Sequence, residues 1–279
     1  MAVLVALCGL VSALLVFAGS SDAVSSWVIR RLRRGRLLLR GFSAAAMLIV
    51  FATVGHFLWF QDNVWTSAAV LMLFSLMLLA MALADDLLRR GRRPAVKRRS
   101  YLVIATHPGD LVSRCSGTVA GLHDAGHVVH VLVLSDDHLP TAVLTQKAQT
   151  WGNFLGCATL TLGNLPAGQI PEHSYAAEDL LRTQIERRNP DVIIAPTHRD
   201  TDPGRAAVGA AVLQASDPGH SLTTFDSATA VGFRPDHTRD ISDYVDVKAH
   251  ALRVLLRNPG PVAPTEQFRI VCTSGHGLL

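Results

Sequence analysis

Charge is sparse in this chain. Asp, Glu, Lys and Arg make up 17% of its 279 residues, against a hydrophobic share of 49%. The scarcity is uneven: Ala2 to Gly19 and Val64 to Ala84 contain no charged residue, and Phe42 to Phe60 contains no ionisable residue except His56. Cysteine is also rare. Cys8, Cys115, Cys157 and Cys272 are scattered and form no C-x-x-C pair, which argues against a disulfide framework and fits a reducing compartment. Residues 101–279 lack a basic excess, with 13 Lys/Arg against 18 Asp/Glu, whereas residues 1–100 carry 13 against 4. The isoelectric point near 9.1 therefore belongs to the N-terminal part. With no basic face expected on the C-terminal part, the charge distribution argues against nucleic acid as a partner.

What is present at the N-terminus is three long apolar runs. Each approaches the ~20 residues that a helix needs to cross about 30 Å of hydrocarbon. They predict a membrane domain over residues 1–84, with transmembrane helices at about 2–19, 42–60 and 64–84. A removable signal peptide is the alternative for the first run, but Met1 to Leu7 carries no basic n-region. Helices of this length with no polar face are rare in water-soluble cores. Arg30, Arg31, Arg33, Arg34, Arg36 and Arg40 separate the first two runs, and Arg89, Arg90, Arg92, Arg93, Lys97, Arg98 and Arg99 follow the third. Gln61-Asp62-Asn63 carries no positive charge. The positive-inside rule then predicts a multi-pass cell-membrane protein with its N-terminus outside and its C-terminal domain cytoplasmic. Trp59 and Trp65 flank the expected outer turn. Residues 85–100 read as a basic linker. It could hold anionic membrane lipids, although fixing the topology is the simpler role.

The next stretch organises the rest of the chain. Tyr101 to Thr106 is an apolar, β-branched run that predicts a buried strand. His107-Pro108-Gly109-Asp110 breaks it, and Val112, Cys115, Val119 and Leu122 follow at helical spacing. Strand, polar turn and helix make half of a βαβ unit, and ligands sit at such turns in open α/β sheets. His127 to Ser135 and Asp191 to Pro196 predict further buried strands, and Thr141 to Cys157 a helix. Ser174 to Arg188 predicts another helix, with Ser174 as N-cap and Asn189-Pro190 as its stop. A second polar loop, Thr197 to Arg205, precedes a helix over 206–215. His123, His127 and His130 straddle a change from helix to strand and are read as helix end and strand surface, not as a metal cluster. Strands alternating with helices, without an internal repeat, predict one Rossmann-like α/β domain over 101–279. Its sheet should be mostly parallel, with helices on both faces.

These motifs resemble the PIG-L/LmbE-like zinc-dependent de-N-acetylases. Ala105-Thr106-His107-Pro108-Gly109-Asp110, followed by Ser116-Gly117-Thr118, is similar to that family's A-H-P-D-D-E and G-G-T elements. The loop from Asp200 to Arg205 is similar to its D-x-H-P-D-H. Asp240-Ile241-Ser242-Asp243, Lys248 and Glu266-Gln267-Phe268 are similar to later family elements. The resemblance implies a zinc ion held by about three protein ligands, with a general base beside it. His107 and Asp110 match two ligands. The base position is Gly109, so no catalytic base is carried over. The third ligand position is Arg205, and Asp200 matches the leading acid of its loop.

Arginine stays cationic in proteins and repels a dication. The sequence therefore predicts that Arg205 replaces the metal charge and pairs with Asp110, Asp200 or Asp202, leaving no cofactor. The alternative is an active enzyme in which His107, Asp110 and Asp202, with His198, hold zinc. Three functions remain open at this point. One is an inactive crevice that binds a sugar or glycolipid headgroup, or acts as an interaction site, at the cytoplasmic membrane face. Another is an active metal-dependent de-N-acetylase of an N-acetylglucosaminyl lipid or related amide. The third is a structural subunit whose helices pack with a membrane-protein partner.

Overall fold

A computed structural model describes residues 2–59, 63–88, 95, 97–136, 138–216, 219–227, 229–255 and 262–272. The expected Gln61 turn, Arg89 to Arg93 of the second basic cluster, and residues 256–261 lie outside the described residues. The chain divides into two compact units, Met1–Gly91 and Arg92–Leu279.

The first unit is all helical: α1 (Ala2–Ser20), α2 (Asp22–Arg31), α3 (Gly35–Trp59) and α4 (Val64–Leu88). α1, α3 and α4 are each long and apolar enough to cross a membrane. Two of these helices differ from the runs read in the sequence. α3 begins at Gly35, not near residue 42, so Arg36 and Arg40 lie on its first turns. α4 continues to Leu88 and takes in Asp85 and Asp86. Apolar composition marks where a helix is greasy, not where its hydrogen-bond ladder ends. The helix α2 was not expected, because its sequence reads as part of the basic connection. The Ser21 hydroxyl accepts from the Val24 N–H at 3.3 Å, and Asp22 and Arg31 suit the two ends of the dipole. Arg31 then grips Asp85 of α4 with two bonds of 2.6 and 2.8 Å.

The second unit is built on a seven-stranded sheet in the order β3-β2-β1-β4-β5-β7-β6. Its strands are β1 (Ser100–Ala105), β2 (Val128–Ser135), β3 (Thr159–Leu165), β4 (Val192–Pro196), β5 (Ser221–Phe225), β6 (His237–Asp240) and β7 (Thr265–Cys272). The first five pair in parallel, and β7 and β6 join antiparallel. The helices are α5 (Pro108–Asp124), α6 (Thr141–Leu155), α7 (Ser174–Arg188), α8 (Pro203–Ala215) and α9 (Val245–Leu255). Helices α7 and α8 cover one face, where Leu181, Ile185, Val208 and Val212 pack on Leu102, Ile104, Ile193 and Leu222. Helices α5, α6 and α9 pack together on the other. Parallel strands buried on both faces read as continuous apolar runs, as these do.

Ser174 is not the cap of α7. It is the first helical residue, and His173 holds the cap position without a side-chain bond. The α7 C-terminus does close at Asn189, in the left-handed region at φ 39°.

The order of strands places the site. β1 and β4 are neighbours, yet α5 after β1 and α8 after β4 lie on opposite faces of the sheet. The connections therefore part between them and leave a crevice at the carboxyl ends of the strands.

Candidate functional site

Two proline-started helices form the crevice walls. His107 follows the first strand with extended backbone, at φ −123° and ψ 153°, and Pro108 then opens α5 with its φ already suited to a helix. Asp110 falls in the first turn, where the dipole favours a carboxylate. On the other wall, the Asp202 carboxylate accepts from the Arg205 N–H at 2.8 Å and caps α8. Gly209 lets α8 press against the loop before it, since a Cβ there would lie 2.5 Å from the His198 nitrogen.

Arg205 reaches back from α8 to α5. Its Nε donates to both Asp110 oxygens, at 3.1 and 3.0 Å, and its Nη2 lies 2.9 Å from Oδ1. Its Nη1 donates to the Thr229 hydroxyl at 3.1 Å and stands 4.0 Å from Asp202 Oδ2. Asp110 is buried, and the arginine side chain keeps a fifth of its surface. Burial alone would lower the Arg205 pKa, but Asp110, Asp202 and Asp200 outweigh it and raise it. The guanidinium is therefore charged throughout the accessible pH range.

Asp200 anchors a third element, the loop after β5. Both Ser227 and Thr229 donate hydroxyl hydrogens to its carboxylate, and the Asp202 N–H donates at 2.9 Å. Burial would raise the Asp200 pKa, yet these three donors and Arg205 hold it below the usual carboxylate range. Beside them Asp226 meets Arg114 of α5 at 3.2 Å. Burial pushes the Asp226 carboxyl upward, against the pull of Arg114 and Lys248.

The structure thus brings Asp110, Arg205, Asp202 and Asp200 into one connected network. His107 stands at the head of α5, three residues from Asp110, and the His198 side chain is exposed on the loop before α8. Gly109 is open, and a Cβ added there would meet no atom within 4 Å. Ser227 and Thr229 were not singled out in the sequence. Their one signal is position, as a short polar stretch directly after a buried strand, at the same sheet edge as the other two loops. Among the described residues no group of three His, Cys, Asp or Glu side chains is arranged to hold a metal ion.

Residues 102–216 match the family described as PIG-L, GlcNAc-PI de-N-acetylase. That span runs from β1 to the end of α8 and includes both proline-started walls. Among solved structures the chain is similar to N,N'-diacetylchitobiose deacetylase from Pyrococcus horikoshii. Identity there is 18%, over 65% of this chain and 87% of that one, with a TM-score of 0.53. It is also similar to a conserved protein from Thermus thermophilus, at 21% identity over 56% and 79% of the two chains, TM-score 0.49. A third is GalB, the 4-carboxy-2-hydroxymuconate hydratase from Pseudomonas putida, at 16% identity over 65% and 99%, TM-score 0.48. No curated protein matches the chain. At 18% identity the first of these likenesses is one of fold, and the site must speak for the chemistry. Sequence and fold together make residues 102–216 a PIG-L domain, carried in a chain that begins with three long apolar helices.

Proposed function

We propose that this PIG-L domain is held at the cytoplasmic face of a membrane and works there as a binding or interaction domain, without hydrolytic chemistry. The observation that carries the reading is the fork of Arg205 on Asp110. A zinc site needs about three ligands and a position open to water. Here one matching ligand, Asp110, is already engaged by a cation, and the third ligand position is that cation. Asp202 spends one oxygen on its helix cap. The residues present do not fit a zinc ion, and no step of a reaction is assigned to one. Gly109 offers no proton acceptor, and loss of a general base costs about two to four decades in rate. What remains is a polar crevice of hydroxyls and carboxylates, suited to the hydroxyl groups of a sugar or glycolipid headgroup.

The membrane part of the reading rests on the apolar lengths of α1, α3 and α4, and its orientation on the arginines between α1 and α3.

The test is metal content of the purified full-length chain, beside hydrolysis of an N-acetylglucosaminyl lipid. The wild type is expected to hold substoichiometric zinc and release no acetate. The Gly109→Asp/Arg205→His double variant restores the family's residue types at both positions and is expected to gain zinc. Stoichiometric zinc in the wild type, lost in Asp110→Ala together with acetate release, would establish the active de-N-acetylase instead.

A further inference from the structure

The first unit carries an apolar groove that the crevice does not explain. It lies between α3 and α4 and has a volume of about 460 Å³. Its walls run from Leu37 to Ile49 on α3 and from Leu73 to Ala80 on α4, and no charged side chain lines it. The two helices are antiparallel, since His56 late in α3 bonds Thr66 and Ser67 early in α4. The groove therefore occupies only the half of the hairpin at the arginine end. Twelve helical steps of 1.5 Å make it about 18 Å long. One leaflet of hydrocarbon is about 15 Å deep, half of the ~30 Å core. A membrane-crossing helix would need a groove along both leaflets, whereas one acyl chain needs this one.

Gly41 shapes the groove. It sits between Leu38 and Ala45 on the lining stripe, and a Cβ added there would meet no atom within 4 Å. The mouth is basic. Six arginines, from Arg30 to Arg40, stand against Asp85 and Asp86 at this end of the unit. Arg31 already neutralises Asp85. Arg34 lies just below Leu37 and Leu38, whose N–H groups bond its carbonyl at 3.0 and 3.2 Å. Its side chain is exposed and makes no ion pair among the described residues.

We infer that the groove between α3 and α4 seats one acyl chain of an anionic phospholipid, with its phosphate held by Arg34. The inference rests on the membrane reading above and is independent of the crevice. A cation near an anionic headgroup strengthens such binding, and buried methylenes hold the chain.

Native mass spectrometry tests it on the full-length protein in detergent, equilibrated with equal amounts of dioleoyl phosphatidylglycerol and dioleoyl phosphatidylcholine. The wild type is expected to retain one phosphatidylglycerol in preference to phosphatidylcholine. In Gly41→Trp, whose side chain enters the open space, that occupancy is lost. In Arg34→Gln the preference falls roughly fivefold. Equal retention of both lipids by the wild type, undiminished occupancy in Gly41→Trp, or a dimer of the chain in place of bound lipid would each overturn it. Flotation with vesicles of the same two lipids separates the two failures. A chain that does not float loses the membrane reading and the groove together. A chain that floats but retains no phosphatidylglycerol loses only the groove assignment.

Discussion

Lys248 on α9 and Glu266 on β7 form one ion pair of the α/β unit, and Arg205 and Asp110 form another. The first meets at 2.8 Å with the glutamate side chain wholly buried. Its carboxylate also accepts the N–H groups of Gly117 and Thr118 at 3.1 and 2.8 Å. Every partner lies inside the core, so the pair ties α9 and β7 to α5 and faces nothing outside. The second pair joins α5 to α8 at the carboxyl ends of β1 and β4, where part of the arginine meets solvent. Its neighbours are carboxylates and hydroxyls that a ligand could engage. The residue types differ little between the two. Position relative to the strand ends is what separates a structural tie from a candidate site.

The comparison breaks most sharply at Lys248. Replacing it in Lys248→Met leaves the Glu266 carboxylate buried beside two N–H groups without its cation. Removing one partner of a buried pair costs about 3–5 kcal/mol, a large share of a domain's stability. Urea unfolding of the full-length chain should show that loss. Arg205→Ala is expected to cost less, about 2 kcal/mol, because water can reach part of the site. Arg205→Lys should cost less again, since an ammonium restores charge but not the fork. Equal losses in Arg205→Ala and Lys248→Met would erase the distinction drawn above.

The smallest effect concerns Asp200. Its folded-state pKa is depressed, so its stabilisation is complete above the unfolded value of about 3.9 and is lost as pH falls through the lower folded value. Asp200→Asn should be less stable than the wild type at pH 7 by under about 1 kcal/mol, with the gap closing below about pH 4. Unfolding measured across that range checks it, and a gap independent of pH would remove Asp200 from the account.

The α/β fold was legible because buried parallel strands write themselves as unbroken β-branched runs, as in Val192 to Pro196. The apolar helices were legible for a different reason, as uncharged runs long enough to cross hydrocarbon, through Ala2 to Gly19 and Val64 to Ala84. Their ends were less so. Gly35 starts α3 because the ladder can begin in polar sequence, and α2 forms outside the long apolar runs, where Ser21 caps it. Ser174 has the right chemistry for a cap yet sits one residue inside the helix.

At the crevice, sequence resemblance nominated Arg205 with three acids, and nothing in linear order ranks Asp110, Asp200 and Asp202. Folding ranks them through helix geometry. Asp202 is held by its own cap, Asp200 is claimed by Ser227 and Thr229, and Asp110 projects from the facing helix within reach of the guanidinium. Residue chemistry along the chain determined that a fixed cation stands where a third metal ligand was expected, because arginine keeps its charge in any environment a protein offers. Only tertiary structure decided which carboxylate it engages, because that depends on two helices on opposite faces of one sheet meeting at the ends of β1 and β4.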